Sequence, residues 1–195
     1  MSLHISKPAA SNESKPNKLP PVPKVGDKAP VSDLLRFPQP KPTIVVFLRH
    51  CGCPFAEKTF KNFTKLSAQH PEVHCVAISH SSQPTTDDWI IQVGGEWEVD
   101  VLADPARDLY AEWGLGLTST WHAYNPWALY STYRLSRDEG VRGGPQGGSR
   151  WQMSGAFAVD VEGHVRWARL PKSADDIPDF ADALRALQLG GEGRA

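Results

Sequence analysis

Hydrophobic residues along the chain alternate between short continuous runs and stretches with helical spacing. Residues 43–48, TIVVFL, form a continuous apolar run, and residues 54–67 then carry apolar side chains about every third or fourth position. A run of this length is typical of a strand buried on both faces, and the spacing after it predicts an amphipathic helix. Pro54 suits the first turn of that helix. The pattern therefore predicts a buried strand that leads directly into a helix.

The same alternation occurs twice more along the chain. Residues 73–79, VHCVAIS, predict a second buried strand, and a helix from Thr85 or Thr86 to Val93 follows it. Residues 99–104, VDVLAD, predict a third strand, followed by a short helix over residues 106–113. Strands joined by helical crossovers pair in parallel with right-handed connections. These units predict an α/β fold whose central sheet is mixed but mostly parallel, with helices on both faces.

The second half of the chain departs from this alternation. Residues 115–152 predict an aromatic-rich helical insertion, with a helix that begins at Asn125–Pro126 and a long glycine-rich loop after it. Residues 156–169 predict a β-hairpin, and residues 175–189 predict a closing helix. The Pro- and Lys-rich residues 1–24 predict a disordered tail because they have few large apolar side chains. Residues 25–190 are then one domain, and residues 191–195 a flexible C-terminus.

Composition narrows the classes of function. The formal net charge is −1 and no basic stripe is present, which argues against nucleic acid as a partner. The sequence has no apolar run of about 18 residues that would span a membrane, and its first residues lack the apolar core of a secretory signal. Three cysteines, two of them one residue apart, do not make a disulfide framework. These features predict a cytoplasmic location.

Two of the three cysteines, Cys51 and Cys53, lie at the junction between the first predicted strand and its helix. Unpaired backbone N–H groups and the positive end of a helix dipole favour a thiolate at such a junction. We therefore interpret Cys53 as the candidate nucleophile, and its position between a glycine turn and Pro54 favours an exposed side chain. The alternative is a buried, inert cysteine that fills space under the helix. Cys51 is either a resolving thiol, through a strained and easily reduced disulfide, or a packed residue. Cys75, inside the second strand, is expected in the core.

Arg49 and His50 directly precede the two thiols. Either side chain is able to stabilise a thiolate, and His50 is also able to deliver a proton to a leaving oxygen. Because side chains alternate along a strand, only one of the two is expected to face Cys53. The nearby histidines and cysteines are metal-ligand types, but their spacing does not fit a zinc site. No metal or other cofactor is therefore expected.

Four segments resemble the peroxiredoxin-like branch of the alkyl hydroperoxide reductase C / thiol-specific antioxidant (AhpC/TSA) group. They are VGDKAP at 25–30, FLRHCGCPF at 47–55, VLADPARDLYAEWGL at 101–115 and QMSGAFAVDVEGHVRWAR at 152–169. The resemblance covers residues 25–189 and implies a thioredoxin-like fold. FLRHCGCPF is similar to the branch's active-site signature FLRHxGCPxC, which places Cys53 on the signature's first active-site cysteine.

The chain also differs from that branch at several positions. Ala56 stands where the branch often has a second cysteine, so a CxxC dithiol is excluded at that spacing. His50 stands where ordinary peroxiredoxins have Thr or Ser, and Ser154 stands where they have Arg. The usual set of peroxide-activating residues is incomplete, and Arg49, His50 or Arg150 are candidates to replace its missing members.

The resemblance implies a thiol-dependent oxidoreductase that reduces a hydroperoxide or endoperoxide through Cys53. A thiol reductant such as thioredoxin or glutathione would be the co-substrate. Similarity to prostamide/prostaglandin F synthase relatives within the branch implies a lipid endoperoxide. A non-catalytic thioredoxin-fold binding module that has lost the CxxC centre is the alternative.

The predicted insertion carries an aromatic-rich helix, for which there is one structural and one functional interpretation. Its aromatic side chains are expected to pack in the core, or else to form an apolar roof over Cys53 for a lipid-like substrate or a homodimer contact. They are Trp121, Tyr124, Trp127, Tyr130 and Tyr133.

Overall fold

The computed structural model of the chain describes residues 19–118, 126–141 and 143–189. These residues contain a five-stranded sheet with the strand order β3-β2-β1-β4-β5. The strands are β1 (Thr43–Phe47), β2 (His74–Ser79), β3 (Val99–Ala103), β4 (Gly155–Val159) and β5 (Val165–Arg169). The helices are α1 (Pro54–Gln69), α2 (Gln83–Val93), α3 (Asp108–Glu112), α4 (Pro126–Glu139) and α5 (Phe180–Ala186).

The sheet combines three parallel strands with an antiparallel hairpin. β1, β2 and β3 pair in parallel, with Phe47 opposite Ile78. β4 pairs antiparallel with β1, and β5 pairs antiparallel with β4. Only β4 therefore runs against the direction of the other strands. The predicted mixed, mostly parallel sheet and the late β-hairpin are confirmed.

Apolar residues cover both faces of the sheet. On one face, α1, α2 and α5 contribute Phe60, Phe63, Trp89 and Phe180 to a buried cluster. On the other face, α3 and the segment before β1 contribute a second cluster around Tyr110. Because the strands are buried on both faces, their sequences are continuous apolar runs and do not alternate between apolar and polar residues.

Several helix ends differ from their predicted positions because side chains cap the helices elsewhere. α2 begins after Ser82, whose hydroxyl oxygen accepts the N–H of Thr85 at 3.4 Å. α3 is shorter than predicted and is held at its start by Asp104, whose carboxylate accepts three successive backbone N–H groups. The closing helix begins only after Asp179, which follows Pro178 and caps Ala181.

Residues 19–24, which the sequence assigns to the predicted tail, lie against the domain. Pro23 is buried, and the backbone of residues 20–22 passes within 2.9 Å of the position that a Cβ on Gly114 would occupy. This close approach and the φ of +71° require glycine at position 114. The domain limits stay a prediction, and residues 1–18 and 190–195 lie outside the described residues.

Candidate active site

Residues 50–53 form a tight turn between β1 and α1, which we call the cysteine turn. The N–H of Cys53 donates to the carbonyl oxygen of His50 at 3.1 Å. Gly52 has a φ of +86°, a backbone conformation that glycine adopts at little cost. The turn places both Cys51 and Cys53 just beyond the carboxyl end of β1, as the sequence predicts.

Cys53 is the N-cap residue of α1, and Pro54 follows at the first helical position. Because α1 is 16 residues long, the positive end of a complete helix dipole lies at the cysteine turn. The Cys53 side chain is 4% exposed and packs in the same apolar cluster as Phe55 and Ala56. The predicted exposure of Cys53 is therefore wrong.

A glycine-rich loop, residues 143–149, lies against the backbone of the cysteine turn at Cys51 and Gly52. The N–H of Gly144 donates to the carbonyl oxygen of Gly52, and the N–H of Gly147 donates to that of Cys51, both at 3.0 Å. A Cβ on Gly52 would lie 2.3 Å from the carbonyl oxygen of Pro145. The sequence predicts the loop but not its position, because the contact joins residues that are far apart in the chain.

Cys51 lies among hydroxyl groups at the carboxyl ends of β1 and β2. Its side chain is 2% exposed, and its N–H donates to Ser81 Oγ at 3.3 Å. Its sulfur lies 3.5 Å from Ser79 Oγ, which also accepts a hydrogen bond from Thr86 Oγ1 at 3.0 Å. Sequence reasoning gave Ser79 and Ser81 no role. The available signal was the parallel pairing itself, which brings the end of β2 beside the end of β1.

His50 is buried and turned toward the backbone of the cysteine turn. Its Nδ1 lies 2.9 Å from the carbonyl oxygen of Cys51, so Nδ1 carries the hydrogen and Nε2 the lone pair. Burial lowers the pKa of His50, the hydrogen bond to Cys51 opposes that change, and the positive charges of Arg49 and Arg150 lower the pKa further. His50 is therefore mostly neutral at pH 7. It does not supply the positive charge that the sequence allowed for a thiolate.

Arg49 makes a hydrogen bond with Arg150, the residue that directly follows the glycine-rich loop. Its guanidinium donates to the carbonyl oxygen of Arg150 at 3.3 Å. Arg49 also lines a cavity of about 30 Å³ together with Ser154 and Arg169. Arg169, whose guanidinium donates to Asp176 Oδ1 at 2.8 Å, therefore lines the same cavity as Ser154, the position at which the family pattern has Arg. Sequence reasoning missed Arg169, because only the pairing of β5 with β4 at Ala156 brings it there.

His80, at the carboxyl end of β2, holds the glycine-rich loop. Its Nε2 lies 3.0 Å from the carbonyl oxygen of Ser149, and its Nδ1 lies 3.5 Å from the hydroxyl of Tyr110. Burial lowers the pKa of His80 to about 4. His80 is therefore neutral at pH 7 and serves as a contact between the sheet and the loop.

Cys75 is a core residue, as the sequence predicts. It is 1% exposed, and burial, with a smaller contribution from the negative charge of Asp100, raises its pKa to about 12. Ser79, which contacts Cys51, lies four residues further along the same strand, or roughly 13 Å at the usual rise per residue. That separation is too long for a disulfide between Cys75 and Cys51.

The aromatic residues of the insertion are only partly described. Three of them lie outside the described part of the chain: Trp121, Tyr124 and the side chain of Trp127. Tyr130 and Tyr133 are exposed, so the prediction that they pack in the core is wrong for these two. α4 contacts the core instead through Leu135, and it pairs Glu139 with Lys58 of α1. Its two described tyrosines lie on the side of the helix left open by these contacts.

The described ranges contain no candidate metal site and no helix suited to span a membrane. Among residues 19–118, 126–141 and 143–189, no group of three or more His, Cys, Asp and Glu side chains is placed to hold a metal ion. Across the same ranges, every helix is too short or too polar to cross a membrane.

Solved structures share this fold at low sequence identity. A peroxiredoxin-like protein from Aquifex aeolicus has a TM-score of 0.61 at 16% identity, over 88% of this chain and 90% of that chain. A thiol peroxidase from Chromobacterium violaceum has a TM-score of 0.58 at 15% identity, over 89% of this chain and 91% of that chain. A cysteine-to-serine mutant of the peroxiredoxin 6 of Arenicola marina has a TM-score of 0.54 at 13% identity, and 76% of this chain spans 60% of its length. The protein therefore has the thioredoxin-like fold of the peroxiredoxins.

The family comparison identifies the chain more closely. The model of the AhpC/TSA antioxidant enzyme family matches residues 59–173, which is more than half of the chain. The protein belongs to this family, and thiol-dependent peroxide reduction is the class of activity that the family supports. The match begins after the cysteine turn and so includes neither Cys51 nor Cys53. Comparison with curated protein sequences gave no match.

Proposed function

We propose that the protein is a thiol-dependent oxidoreductase that reduces a hydroperoxide or an endoperoxide through Cys53. The observation that carries this proposal is the position of Cys53 as the N-cap of the 16-residue helix α1, directly beyond β1. The first backbone N–H groups of a helix lack intrahelical partners and give the helix N-terminus a positive potential, and the Cys53 side chain lies there without a capping hydrogen bond. The resemblance of FLRHCGCPF to the active-site signature supports the same residue.

The chemistry begins with attack of the Cys53 thiolate on one oxygen of the peroxide. A sulfur–oxygen bond forms, the oxygen–oxygen bond breaks, and the leaving oxygen takes a proton. With a hydroperoxide, an alcohol or water departs and Cys53 becomes a sulfenic acid. With an endoperoxide, the substrate stays attached through its second oxygen as a sulfenate ester until a thiol displaces it as an alcohol. In both cases Cys53 is oxidised by two electrons. His50 is the candidate proton acceptor of the cysteine turn, because it is mostly neutral at pH 7 and has its lone pair on Nε2.

Cys51 is the candidate resolving thiol, because Ala56 occupies the position of the second cysteine of a CxxC centre. Attack of the Cys51 sulfur on the sulfenic acid would form a disulfide and release water. A thiol reductant such as thioredoxin or glutathione would then return both cysteines to the reduced state. The reaction needs no metal or organic cofactor.

Trapping the sulfenic acid tests the role of Cys53. The full chain is treated with stoichiometric hydrogen peroxide and dimedone, and the adducts are located by mass spectrometry. We expect the adduct on Cys53 in the unmodified protein and in Cys75→Ser, and its loss in Cys53→Ser. An unmodified Cys53, under conditions in which a control peroxiredoxin consumes the peroxide, would refute the proposed function.

The alternative function is a non-catalytic binding module, and the burial of Cys53 favours it. Cys53 is 4% exposed and packs in the apolar cluster with Phe55 and Ala56, so a peroxide reaches its sulfur only if surrounding residues move. A binding module predicts that peroxide leaves Cys53 unchanged while the folded protein remains intact. The trapping experiment therefore separates the two functions.

Substrate, assembly and location complete the proposal. Rates of Cys53 oxidation by hydrogen peroxide, cumene hydroperoxide and a prostaglandin endoperoxide would rank the substrate classes.

We propose a homodimer in which the exposed Tyr130 and Tyr133 are available for contact, and light scattering of the full chain would report its mass. We propose a cytoplasmic location, where thiol reductants keep cysteines reduced.

A further inference from the structure

The hydroxyl of Ser79 lies at the centre of a buried hydrogen-bond network beside the cysteine turn. Ser79 is the last residue of β2 and is 0% exposed. Its Oγ accepts the N–H of Ser81 at 3.2 Å and the hydroxyl of Thr86 at 3.0 Å. The sulfur of Cys51 lies 3.5 Å from the same oxygen. Three polar groups therefore meet at one serine oxygen.

The number of hydrogen bonds at Ser79 determines the direction of its contact with Cys51. A serine hydroxyl has two acceptor lone pairs and one hydrogen. Ser81 and Thr86 both donate to Ser79 Oγ, so they occupy its two acceptor positions. Its single hydrogen is then directed to the sulfur of Cys51. A hydrogen bond donated within such a buried network holds the Cys51 side chain in one orientation.

The geometry of the cysteine turn allows Cys51 to reach Cys53. The hydrogen bond from the Cys53 N–H to the His50 carbonyl oxygen closes the turn around both cysteines. Two residues that are two positions apart in a turn lie closer than the roughly 7 Å of an extended pair, which is within the range of a disulfide. Both side chains also belong to the same buried cluster.

We propose that Ser79, oriented by Thr86, is a positioning residue that holds the sulfur of Cys51 ready to attack oxidised Cys53. The proposal rests on the proposed function of Cys53. In this step the Cys51 sulfur forms a bond with the Cys53 sulfur, and the sulfur–oxygen bond of the sulfenic acid breaks. Hydroxide leaves and takes a proton from solvent. Cys51 is oxidised by one electron equivalent, the Cys53 sulfur is reduced by one, and a thiol reductant later supplies two electrons to the disulfide.

Single-turnover oxidation tests the proposal with Ser79→Ala and Thr86→Val. Ser67→Ala is the matched control, because Ser67 is a buried serine whose hydroxyl donates to the Thr64 carbonyl oxygen within α1. We expect Ser79→Ala to slow formation of the Cys51–Cys53 disulfide about tenfold, the size expected for one hydrogen bond. Thr86→Val should have a smaller effect in the same direction, and Ser67→Ala none.

The formation of the Cys53 sulfenic acid is measured in parallel by dimedone trapping. Its rate should be unchanged in Ser79→Ala, and the trapped species should persist longer. A general loss of structure would slow both steps, so only the selective effect supports the positioning role. Disulfide formation at the unmodified rate in Ser79→Ala would overturn the proposal.

A spectroscopic arm separates failure of this proposal from failure of the proposed function. In a Cys53→Ser background, the Raman S–H stretching band of Cys51 is obtained by difference, with Cys51→Ser as the blank. Ser79→Ala should shift that band, because the sulfur loses its contact with the serine hydroxyl, even if Cys53 never reacts with peroxide. An unshifted band would show that Ser79 does not hold the Cys51 sulfur, whatever the activity of Cys53.

Discussion

Substitution of Gly52 by alanine tests how the glycine-rich loop covers the cysteine turn. Gly52 has a φ of +86°, and a Cβ at this position would lie 2.3 Å from the carbonyl oxygen of Pro145 and 2.6 Å from that of Gly144. Both neighbours are backbone atoms, so a rotamer change does not relieve the overlap. Either the turn or the loop must move.

The expected loss of stability has two separable parts. A left-handed backbone conformation costs a residue with a Cβ about 1–2 kcal/mol. Forcing an additional methyl group into a packed site costs about 1–3 kcal/mol. Gly52→Ala should therefore lower the free energy of unfolding by about 2–5 kcal/mol.

Gly26→Ala is the matched control, because Gly26 has a φ of +96° and its added Cβ would have no atom within 4 Å. Gly26→Ala should lower the free energy of unfolding only by the cost of the left-handed backbone conformation, about 1–2 kcal/mol. Equilibrium unfolding in urea measures both losses. The rate of Cys51 alkylation in the folded protein should also rise in Gly52→Ala, because Gly147 of the displaced loop donates to the Cys51 carbonyl oxygen and lies against the Cys51 Cβ. Equal stability losses in the two variants, with alkylation unchanged, would refute the described covering of the turn.

Two further predictions concern buried titratable groups. The pKa of His80 is lowered to about 4 in the folded protein. As the pH falls, the histidine of the unfolded chain therefore binds its proton first, and this favours unfolding. The stability that neutral His80 contributes is complete above pH 6.5 and is lost between pH 6.5 and 4. Denaturant midpoints should show a loss of about 3 kcal/mol over that range that is absent in His80→Gln, and parallel curves for the two proteins would contradict this assignment. Cys75, with a pKa raised to about 12, should remain unlabelled by iodoacetamide at pH 8 in the folded protein and become labelled in urea. Labelling of folded Cys75 at the rate of a free thiol would show that it is not buried.

The sequence predicts the framework of the site because that framework depends on local patterns. The apolar run of β1, the helical spacing of α1 and Pro54 together place Cys51 and Cys53 at a strand-to-helix junction. Parallel pairing of β1 with β2 follows from the helical crossover between them. The helix boundaries are less accurate, because Ser82 and Asp179 cap α2 and α5 at positions that apolar spacing does not mark.

The surroundings of the two thiols depend on contacts between distant segments. Ser79 faces Cys51 only because β2 lies beside β1, and Arg169 reaches the cavity of Arg49 only because β5 pairs with β4. The glycine-rich loop lies over Gly52 through hydrogen bonds that no local periodicity encodes. The packing of Cys53 in the apolar cluster with Phe55 and Ala56 reverses its predicted exposure.

The sequence by itself determined which residues are the candidates for the chemistry and that Cys51 and Cys53 lie at a strand-to-helix junction. The tertiary structure alone decided that both thiols are covered, that His50 is held neutral, and that a serine hydroxyl is directed at Cys51. The physical reason is that backbone conformation follows from neighbouring residues, whereas burial and hydrogen-bond partners follow from the packing of segments that meet only in the folded chain.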